Sequence, residues 1–358
     1  MQRQQSRQGR DERAQQRPPE IYPLPRDSRA VAEAQAGQCF NYGLRVERLL
    51  TWDAEKWELT RQAKERFAKQ AAGRKVLVFT HPEHRRLISA HRQRWEKMLE
   101  ACEQCGYQVR RFTMCAAERI VVGLGAESVL ETNIRLHRIY GFPIIPGSAL
   151  KGLARSYALW QAAEQLGVPA LSLEERSARD KTGARSPIQK LEAYLDEPAE
   201  DRRAPLLDEL KRDMAIPPGS SLHQWSLAAV EEITKPLRLA FGTIGSAGKV
   251  IFFDAVPTDP AKLKLDLDVM TPHYSDYYMK KLERGQPIPP ADYLNPNPVP
   301  FLTVAPGSEF LFAVTCGSKS PSNQERLALV DIAVNWLRAG LADIGAGAKT
   351  VAGYGLWR

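Results

Sequence analysis

The sequence predicts an α+β fold, because helical and strand-like patterns alternate along most of the chain. Residues 324–343 carry apolar side chains at helical spacing, which is typical of an amphipathic helix. Residues 249–257 and 309–315 are short runs rich in β-branched and aromatic side chains, which is typical of strands. A net charge of +8 over 358 residues and a hydrophobic fraction of 43% exclude a collagenous, wholly disordered or coiled-coil chain.

The N-terminal segment is rich in Gln, Arg and Pro and poor in large apolar side chains. Such a segment buries too little apolar surface to offset the entropy of ordering, so we predict a disordered arm over residues 1–37. Residues 38–358 are predicted to form a single domain. No apolar stretch is long enough for a signal peptide or a bilayer span, and five Cys do not make a disulfide scaffold. These observations predict a cytoplasmic protein.

The remaining elements are predicted in chain order from their periodicity and their turn residues. They are a charged helix over 53–72, an apolar run over 75–80, a polar helix over 84–105, a strand region over 107–125, a helix over 148–165, a charged helical insertion at about 165–225, a strand over 249–257, a Pro-rich loop over 286–300, a hairpin of strands 299–304 and 309–315, and the helix 324–343.

The first candidate site is the segment 141–155, Gly-Phe-Pro-Ile-Ile-Pro-Gly-Ser-Ala-Leu-Lys-Gly-Leu-Ala-Arg. Gly147 permits a tight turn and Ser148 is a preferred N-cap, so a helix is predicted to begin here. The amides of a first helical turn attract phosphate, and Lys151 and Arg155 lie four residues apart on one face. The alternative is a capped helix with two solvated cations, and the residues alone do not separate the two interpretations.

The surrounding stretch 132–163 contains no Asp or Glu, although it holds several basic residues. Arg135, His137 and Arg138 lie in its first part. An acid-free basic stretch favours a polyanionic partner without requiring one.

The second candidate site is the glycine-rich segment 345–355. A loop with this many glycines can present backbone amides to a ligand, while lysine and threonine add donors and a tyrosine ring can stack on a base. The residues concerned are Gly345, Gly347, Lys349, Thr350, Gly353 and Tyr354. The alternative is a flexible glycine turn between a helix and a last strand.

Nucleotide and zinc sites are not favoured. A Walker loop needs a glycine five residues before its Gly-Lys pair. Thr243 stands at that position before Gly248-Lys249, and Asp343 stands there before Ala348-Lys349. Cys102 and Cys105 form a Cys-x-x-Cys pair, but no second close pair completes four thiolate ligands. Ordinary thiols are therefore the favoured interpretation.

Two groups of residues could support phosphodiester cleavage. His137 could act as a general base toward a hydroxyl nucleophile, and its alternative role is a backbone contact. Asp266, Asp268 and Asp276 could hold a divalent ion, although alternating Asp residues on an exposed strand face are the more ordinary interpretation.

Together, segments 141–155 and 345–355 resemble the Pro-Gly-Ser-Ser-Leu-Lys-Gly signature and the C-terminal glycine-rich loop of the RAMP superfamily, the RNA-binding proteins of CRISPR systems. Further stretches resemble the subfamily of sixth Cmr subunits of type III-B effector complexes. They are residues 41–44, 241–257, 268–274 and 295–304. The resemblance covers about residues 41–358. Ala149 departs from the signature, which often has a second Ser there.

The resemblance implies a ferredoxin-like, RRM-related core with helical insertions. It implies a non-catalytic subunit at the head end of a ribonucleoprotein, near the 3′ part of the guide (CRISPR) RNA. Target cleavage would belong to an aspartate of the repeated backbone subunit, and no cofactor is implied. The partners would be guide RNA, possibly target RNA, and the backbone, small helical and first Cmr subunits.

The resemblance and the residue chemistry assign the same RNA site. Gly147, Ser148, Lys151 and Arg155 would hold phosphates, and Lys349, Thr350 and the nearby glycines would close over the same strand. Backbone contacts of this kind suit a protein that accepts many guide sequences. The alternative function is a RAMP-type endoribonuclease that processes guide precursor RNA, with His137 or the three Asp residues as its catalytic groups.

Overall fold

A computed structural model describes residues 19–39, 41–60, 81–130, 132–283, 285–292, 294–317 and 322–358. The helices are α1 (Arg26–Gln35), α2 (Tyr42–Glu47), α3 (Pro82–Gln104), α4 (Gly147–Leu166), α5 (Leu173–Thr182), α6 (Pro187–Asp196), α7 (Glu200–Lys211), α8 (Leu227–Phe241), α9 (Ser275–Tyr278) and α10 (Asn323–Asp343). The strands are β1 (Glu20–Ile21), β2 (Trp52–Asp53), β3 (Gln108–Cys115), β4 (Gly242–Thr243), β5 (Ser246–Ala247), β6 (Val250–Phe252), β7 (Val256–Pro257), β8 (Leu265–Met270), β9 (Leu282–Glu283), β10 (Gln286–Pro287), β11 (Val299–Val304) and β12 (Glu309–Cys316). Short 3-10 turns cover Ala36–Gln38, Ser221–Gln224 and Thr350–Ala352.

The chain forms two compact units, each made of three separate segments. The first unit comprises Met1–Arg86, Leu124–Phe142 and Lys264–Leu302, and the second comprises Leu87–Gly123, Pro143–Leu263 and Thr303–Arg358. Among the described residues, no helix combines the length and the apolar character that crossing a membrane requires.

An antiparallel sheet organises the second unit. Its central strand is β12, which pairs with β3 along its whole length and with β6 and β7 on the other side. At the outer edge of β3, Cys115 and Arg358 exchange two backbone hydrogen bonds of 2.9 Å, so the last residues of the chain extend the sheet. Seven of the eight residues of β12 are buried, as expected of a central strand.

Both faces of this sheet are covered by helices. Successive side chains of a strand point to opposite faces. On β3, Arg110 pairs with Asp331 of α10 at 2.6 Å, and the next residue, Arg111, pairs with Glu103 of α3 at 2.7 Å. Helix α10 also packs against α4, and its Trp336 belongs to an aromatic cluster with Phe241 of α8. The core therefore lies between α3 and the layer of α4, α8 and α10.

The charged segment between α4 and α8 folds into the predicted helices. Capping boxes at Ser172 and Ser186 start α5 and α6, and Gly183 ends α5 in the left-handed conformation. Asp213 accepts hydrogen bonds from Arg179 at 2.6 and 2.9 Å and lies 3.0 Å from the ammonium of Lys190.

The first unit contains short paired strands and a tight turn. Strand β1 pairs with β2, β8 pairs with β11, and β9 pairs with β10. In the turn, the side-chain amide of Asn41 donates to the carbonyl oxygens of Arg138 and Ile139, at 3.3 and 2.7 Å. His84 Nε2 lies 2.8 Å from the carbonyl oxygen of Tyr140. Burial lowers the pKa of this imidazole, while the bond to Tyr140 acts in the opposite direction.

Most of the predicted elements are confirmed. The helices predicted over 84–105, 148–165 and 324–343 differ from the observed bounds by at most two residues at either end. The strand predicted over 249–257 is present as β6 and β7, separated by three residues, and the α+β class is correct.

Four expectations differ from the structure. The loop predicted over 286–300 contains strand β10 at its start and the first residues of β11 at its end. The helix predicted over 53–72 is wrong where it is described, because the carboxylate of Asp53 accepts the amides of Glu55 and Lys56 in a turn and Trp57 has a φ of 54°. Residues 61–72 and the apolar run 75–80 lie outside the described residues.

The hairpin predicted from strands 299–304 and 309–315 is also wrong. Both strands exist, but β11 pairs with β8 while β12 pairs with β3, β6 and β7. The connection between them bonds instead to Ala116, which donates to Ser308 and accepts from Gly307.

We predicted a disordered arm over residues 1–37, but residues 20–37 contain a strand, a helix and the start of a 3-10 turn. Glu20–Ile21 forms strand β1 with Trp52–Asp53, and α1 follows with Ala32 buried. The composition did not reveal these partners. Residues 1–18 lie outside the described part of the chain.

Candidate nucleic-acid interface

The start of helix α4 is built differently from the sequence prediction. The helix begins at Gly147 and its N-cap is Pro146, so Ser148 lies inside the helix and the predicted Ser148 cap is wrong. Instead the backbone N–H of Gly147 donates to the carboxylate of Asp254 at 2.7 Å. A protein carboxylate thus occupies part of the helix terminus that was expected to attract phosphate.

Gly147 is needed for close packing. A Cβ atom at this position would lie 2.1 Å from the carbonyl oxygen of Phe252 and 3.0 Å from the carbonyl carbon of Phe253. Because both contacts are with backbone, no side-chain rotation could relieve them.

The exposed face of α4 begins one residue later. Ser148 and Gly152 are exposed and Lys151 is half-buried, and these positions lie on one face of the helix. No acidic side chain in the described ranges pairs with Lys151, and a Cβ atom on Gly152 would meet nothing within 4 Å. This face can therefore admit a ligand that approaches the helix closely.

Arg155 makes two ion pairs within the protein. Its guanidinium donates to Glu192 at 2.5 Å and to Asp196 at 3.1 Å, both on α6. Burial opposes its charge, but the two carboxylates outweigh burial and raise the pKa of Arg155. Arg155 thus joins α4 to the helical segment, a role that spacing alone did not reveal.

The glycine-rich loop is held by backbone hydrogen bonds. Ala348 donates to Val121 at 2.7 Å, Gly355 donates to Arg119 at 2.8 Å, and Ala346 donates to Gly355 at 2.8 Å. The expectation of freely exposed amides is therefore wrong for these three groups. Gly347 combines a φ of 108° with a carbonyl oxygen 2.2 Å from the position of a Cβ atom, so only glycine fits there.

The tip of the loop carries the polar candidates. Lys349 has a φ of 63°, and its ammonium lies 5.9 Å from the centre of the Tyr354 ring. Thr350 begins the 3-10 turn and is half-buried, while Gly353 is exposed and Gly345 is buried. The loop is therefore a preformed structure with Lys349, Thr350 and Tyr354 around its tip.

The three candidates in the first unit have different environments. Arg135 and Arg138 are exposed. His137 Nδ1 accepts the backbone N–H groups of Ile139 and Tyr140, at 3.2 and 3.3 Å, and its ring stacks on Phe142. Because Nδ1 is already occupied as an acceptor, this histidine stabilises the turn that presents Arg138.

The alternative catalytic groups are dispersed. Asp276 pairs with Lys281 at 2.8 Å, and Asp268 accepts the N–H of Val269. Within the described ranges, no three His, Cys, Asp or Glu residues are close enough to hold a metal ion. In the described part of the chain none of the five cysteines forms a disulfide bond, and this includes Cys102 and Cys105.

We expect Gly152→Ala to stabilise the protein. A Cβ atom has open space here, and alanine is favoured over glycine inside a helix by about 0.8–1 kcal/mol. Chemical denaturation should therefore show a free energy of unfolding higher by roughly this amount. A decrease would show that the helix face is not open.

These sites lie in the region that comparison assigns to a known family. The model of the RAMP superfamily matches residues 117–358, so this chain belongs to the RAMP superfamily. It is similar to the CRISPR system Cmr subunit Cmr6 of Pyrococcus furiosus, with 36% identity over 240 residues. That alignment covers 66% of this chain and 64% of the relative, which is less than two thirds of its length.

Two solved structures also show similarity. The crystal structure of Cmr6 from Pyrococcus furiosus has a TM-score of 0.40 and 31% identity, covering 70% of this chain and 97% of that chain. A cryo-EM structure of the type III-B Cmr-beta complex bound to cognate target RNA includes a chain with a TM-score of 0.47 and 18% identity. It covers 83% of this chain and 72% of that chain. Since neither TM-score reaches 0.5, family membership rests on the sequence matches.

Proposed function

We propose that this protein is a non-catalytic, guide-RNA-binding assembly subunit of a type III-B CRISPR ribonucleoprotein that targets RNA in antiviral defence. Its place would be the head end, near the 3′ part of the guide, in a cytoplasmic complex. Membership of the RAMP superfamily and the similarity to Cmr6 support this proposal. Its partners would be guide RNA, possibly target RNA, and the backbone, small helical and first Cmr subunits.

The main support for RNA binding is the exposed face of α4 formed by Ser148, Lys151 and Gly152. Ser148 offers a hydroxyl, Lys151 offers a cation without an acidic partner in the described residues, and Gly152 leaves room for a sugar-phosphate backbone. These groups contact phosphate and sugar rather than base edges, so they suit binding that is independent of guide sequence. Gly147 would support this face through packing and Arg155 through its ion pairs.

The glycine-rich loop would supply a second set of contacts. Lys349 would pair with a phosphate, Thr350 would donate a hydrogen bond, and Tyr354 would stack on a base or on the ribose. The internal hydrogen bonds of the loop lower the entropic cost of binding because the loop is already ordered. Gly345, Gly347 and Gly353 would serve by allowing its backbone conformation.

The first unit would add the exposed arginines. Arg135 and Arg138 would contact phosphates, and His137 would hold the turn that carries Arg138. Because His137 Nδ1 already accepts two backbone N–H groups, we assign this histidine a positioning role. This role favours the binding function over the endoribonuclease alternative.

The core of the second unit would be ferredoxin-like. The elements β3, α4, β6 with β7, β12 and α10 follow the order βαββα. The final residues would supply the last β, since Arg358 exchanges backbone hydrogen bonds with Cys115 of β3. The final residues lie beside β3, β3 lies beside β12, and β12 lies beside β6, and neighbours are antiparallel. If these four segments are numbered 1 to 4 in chain order as β3, β6, β12 and the final residues, their order across the sheet is 4-1-3-2. This arrangement supports the proposal of an RRM-related topology, which the resemblance implies.

We expect the double variant Lys151→Ala/Lys349→Ala to bind guide RNA more weakly. Each lysine would neutralise one phosphate of a single strand, so the slope of log K against log salt should fall in magnitude by about 1.4. Filter binding of labelled guide RNA to the purified full chain at several salt concentrations measures both the affinity and the slope.

The control is Lys181→Ala, on a helix without buried residues and outside the proposed interface. It should leave the slope unchanged. Equal RNA affinity and slope in the double variant and the wild type would reject the site. Discrete products from labelled repeat RNA that disappear in His137→Ala would instead support the endoribonuclease.

A further inference from the structure

A separate cleft lies in the second unit, along the C-terminal half of α4. It has a volume of about 510 Å³, which is within the usual range for ligand-binding sites. Tyr157, Trp160, Gln161 and Glu164 line it at helical spacing, and Asp343 at the end of α10 lines it as well. None of these five residues belongs to the proposed RNA interface.

The walls of the cleft are aromatic and partly exposed. The residue Trp160 is 40% exposed, although most tryptophans of globular proteins are largely buried. Gln161 is held in place, because its side-chain oxygen accepts a hydrogen bond of 2.8 Å from the indole N–H of Trp336. Exposed aromatic side chains in a concave site are typical of the residues that dominate protein–protein binding.

The cleft is also acidic in an otherwise basic protein. The chain has 50 Lys and Arg residues, yet residues 156–172 and 339–348, which contribute the lining, contain none. Glu164 and Asp343 are exposed, and neither has an ion-pair partner among the described residues. Asp343 is the last residue of α10, where the helix dipole adds negative charge.

The carboxylates and the aromatic rings that line the cleft together indicate which kind of side chain it would bind. The two exposed carboxylates, Glu164 and Asp343, repel the phosphates of RNA and attract a cation. Guanidinium is planar, stacks on tryptophan and tyrosine, and forms directed hydrogen bonds with carboxylates, and it is more weakly hydrated than ammonium. Arginine is therefore the side chain that best complements both features of the cleft.

We propose that this cleft is the docking site for a protein partner, which inserts an arginine side chain against Trp160 and Tyr157 and balances its charge with Glu164 and Asp343. The surface is distinct from the RNA interface, so this proposal goes beyond RNA binding. It assigns the C-terminal half of α4 to protein contacts and the N-terminal half to RNA.

The test uses a labelled tetra-arginine peptide as the probe and the full chain as the receptor. Fluorescence anisotropy should show saturable binding, and the peptide with citrulline at all four positions should bind at least about tenfold more weakly because it lacks the charge. Trp160→Ala, and separately Glu164→Gln/Asp343→Asn, should each weaken binding of the arginine peptide by about tenfold. Because Glu164 and Asp343 are exposed, their amide variants should keep the unfolding midpoint of the wild type. Trp160→Ala loses a partly buried ring, so its unfolding curve must show that it is folded at the temperature of the binding assay.

The matched control is Glu174→Gln/Asp201→Asn, which removes two exposed acidic charges on α5 and α7. This control should bind the peptide as the wild type does. Equal loss in the control would show unspecific charge attraction and overturn the proposal. Equal binding of the citrulline peptide, or Trp160-dependent binding of oligouridine without binding of the arginine peptide, would overturn it as well.

Discussion

Gly147→Ala should lower the free energy of unfolding by about 3 kcal/mol or more. The added Cβ atom would lie 2.1 Å from the carbonyl oxygen of Phe252, so either the strand or the start of α4 must move. Movement also weakens the hydrogen bond from Gly147 to Asp254. Urea denaturation followed by circular dichroism measures the change.

Gly152→Ala is the matched control, because it makes the same chemical change in the same helix at an open position. The two variants should shift the free energy of unfolding in opposite directions. If Gly147→Ala were as stable as the wild type, the close approach of α4 to the strand would be refuted. A loss of RNA binding in this variant alone would not identify a ligand, since the fold itself is affected.

Asp213→Ala should also destabilise the protein strongly. The Asp213 side chain is 2% exposed, and those of Arg179 and Lys190 are 19% and 18% exposed. Removing the carboxylate leaves two largely buried cations without their main partner, which costs about 3 kcal/mol. Denaturation at pH 7 measures the loss. Asp208→Ala is the control, because its pair with Arg212 is exposed and contributes less than about 1 kcal/mol.

The same cluster predicts a dependence of stability on pH. The hydrogen bonds from Arg179 hold the pKa of Asp213 far below its ordinary value, although burial acts in the opposite direction. A carboxyl whose pKa is lower in the folded state contributes its full stability above its unfolded pKa of about 3.9 and loses it as the pH falls. The wild type should therefore lose more stability than Asp213→Ala when acidified below about pH 5. Parallel pH profiles would contradict this role.

Local patterns predicted the elements of the fold but not their long-range partners. The Pro-Gly-Ser motif predicted a helix from Ser148, one residue from the observed start at Gly147, because N-terminal preferences are local, although the predicted Ser148 cap is wrong. The carboxylate that accepts the N–H of Gly147 belongs to Asp254, a residue 107 positions away that no local pattern connects to Gly147. Likewise, composition predicted a charged helical segment around Asp213, but the pairing of Arg179, Lys190 and Asp213 exists only once α5 and α6 have packed.

In the candidate sites too, local patterns predicted which residues share a face but not their long-range partners. Spacing placed Lys151 and Arg155 on one face, and both are on that face. Only the packing of α6 shows that Arg155 pairs with Glu192 and Asp196, while no acidic partner of Lys151 is found among the described residues. The cleft beside Trp160 was not predicted from the sequence, because Glu164 and Asp343 lie on different helices, α4 and α10. The absence of basic residues from 156–172 was the available signal.

The pairing of β3 with β12 has a consequence for synthesis on the ribosome. Thr315 Oγ1 donates to the carbonyl oxygen of Gln108 across 207 positions of the sequence. Strand β3 thus emerges from the ribosome long before its central partner β12. Contacts this distant slow folding and leave an unpaired strand edge on the nascent chain. Chaperone dependence during translation, tested by comparing yields with and without a ribosome-associated chaperone, should therefore exceed that of a helical protein of equal length.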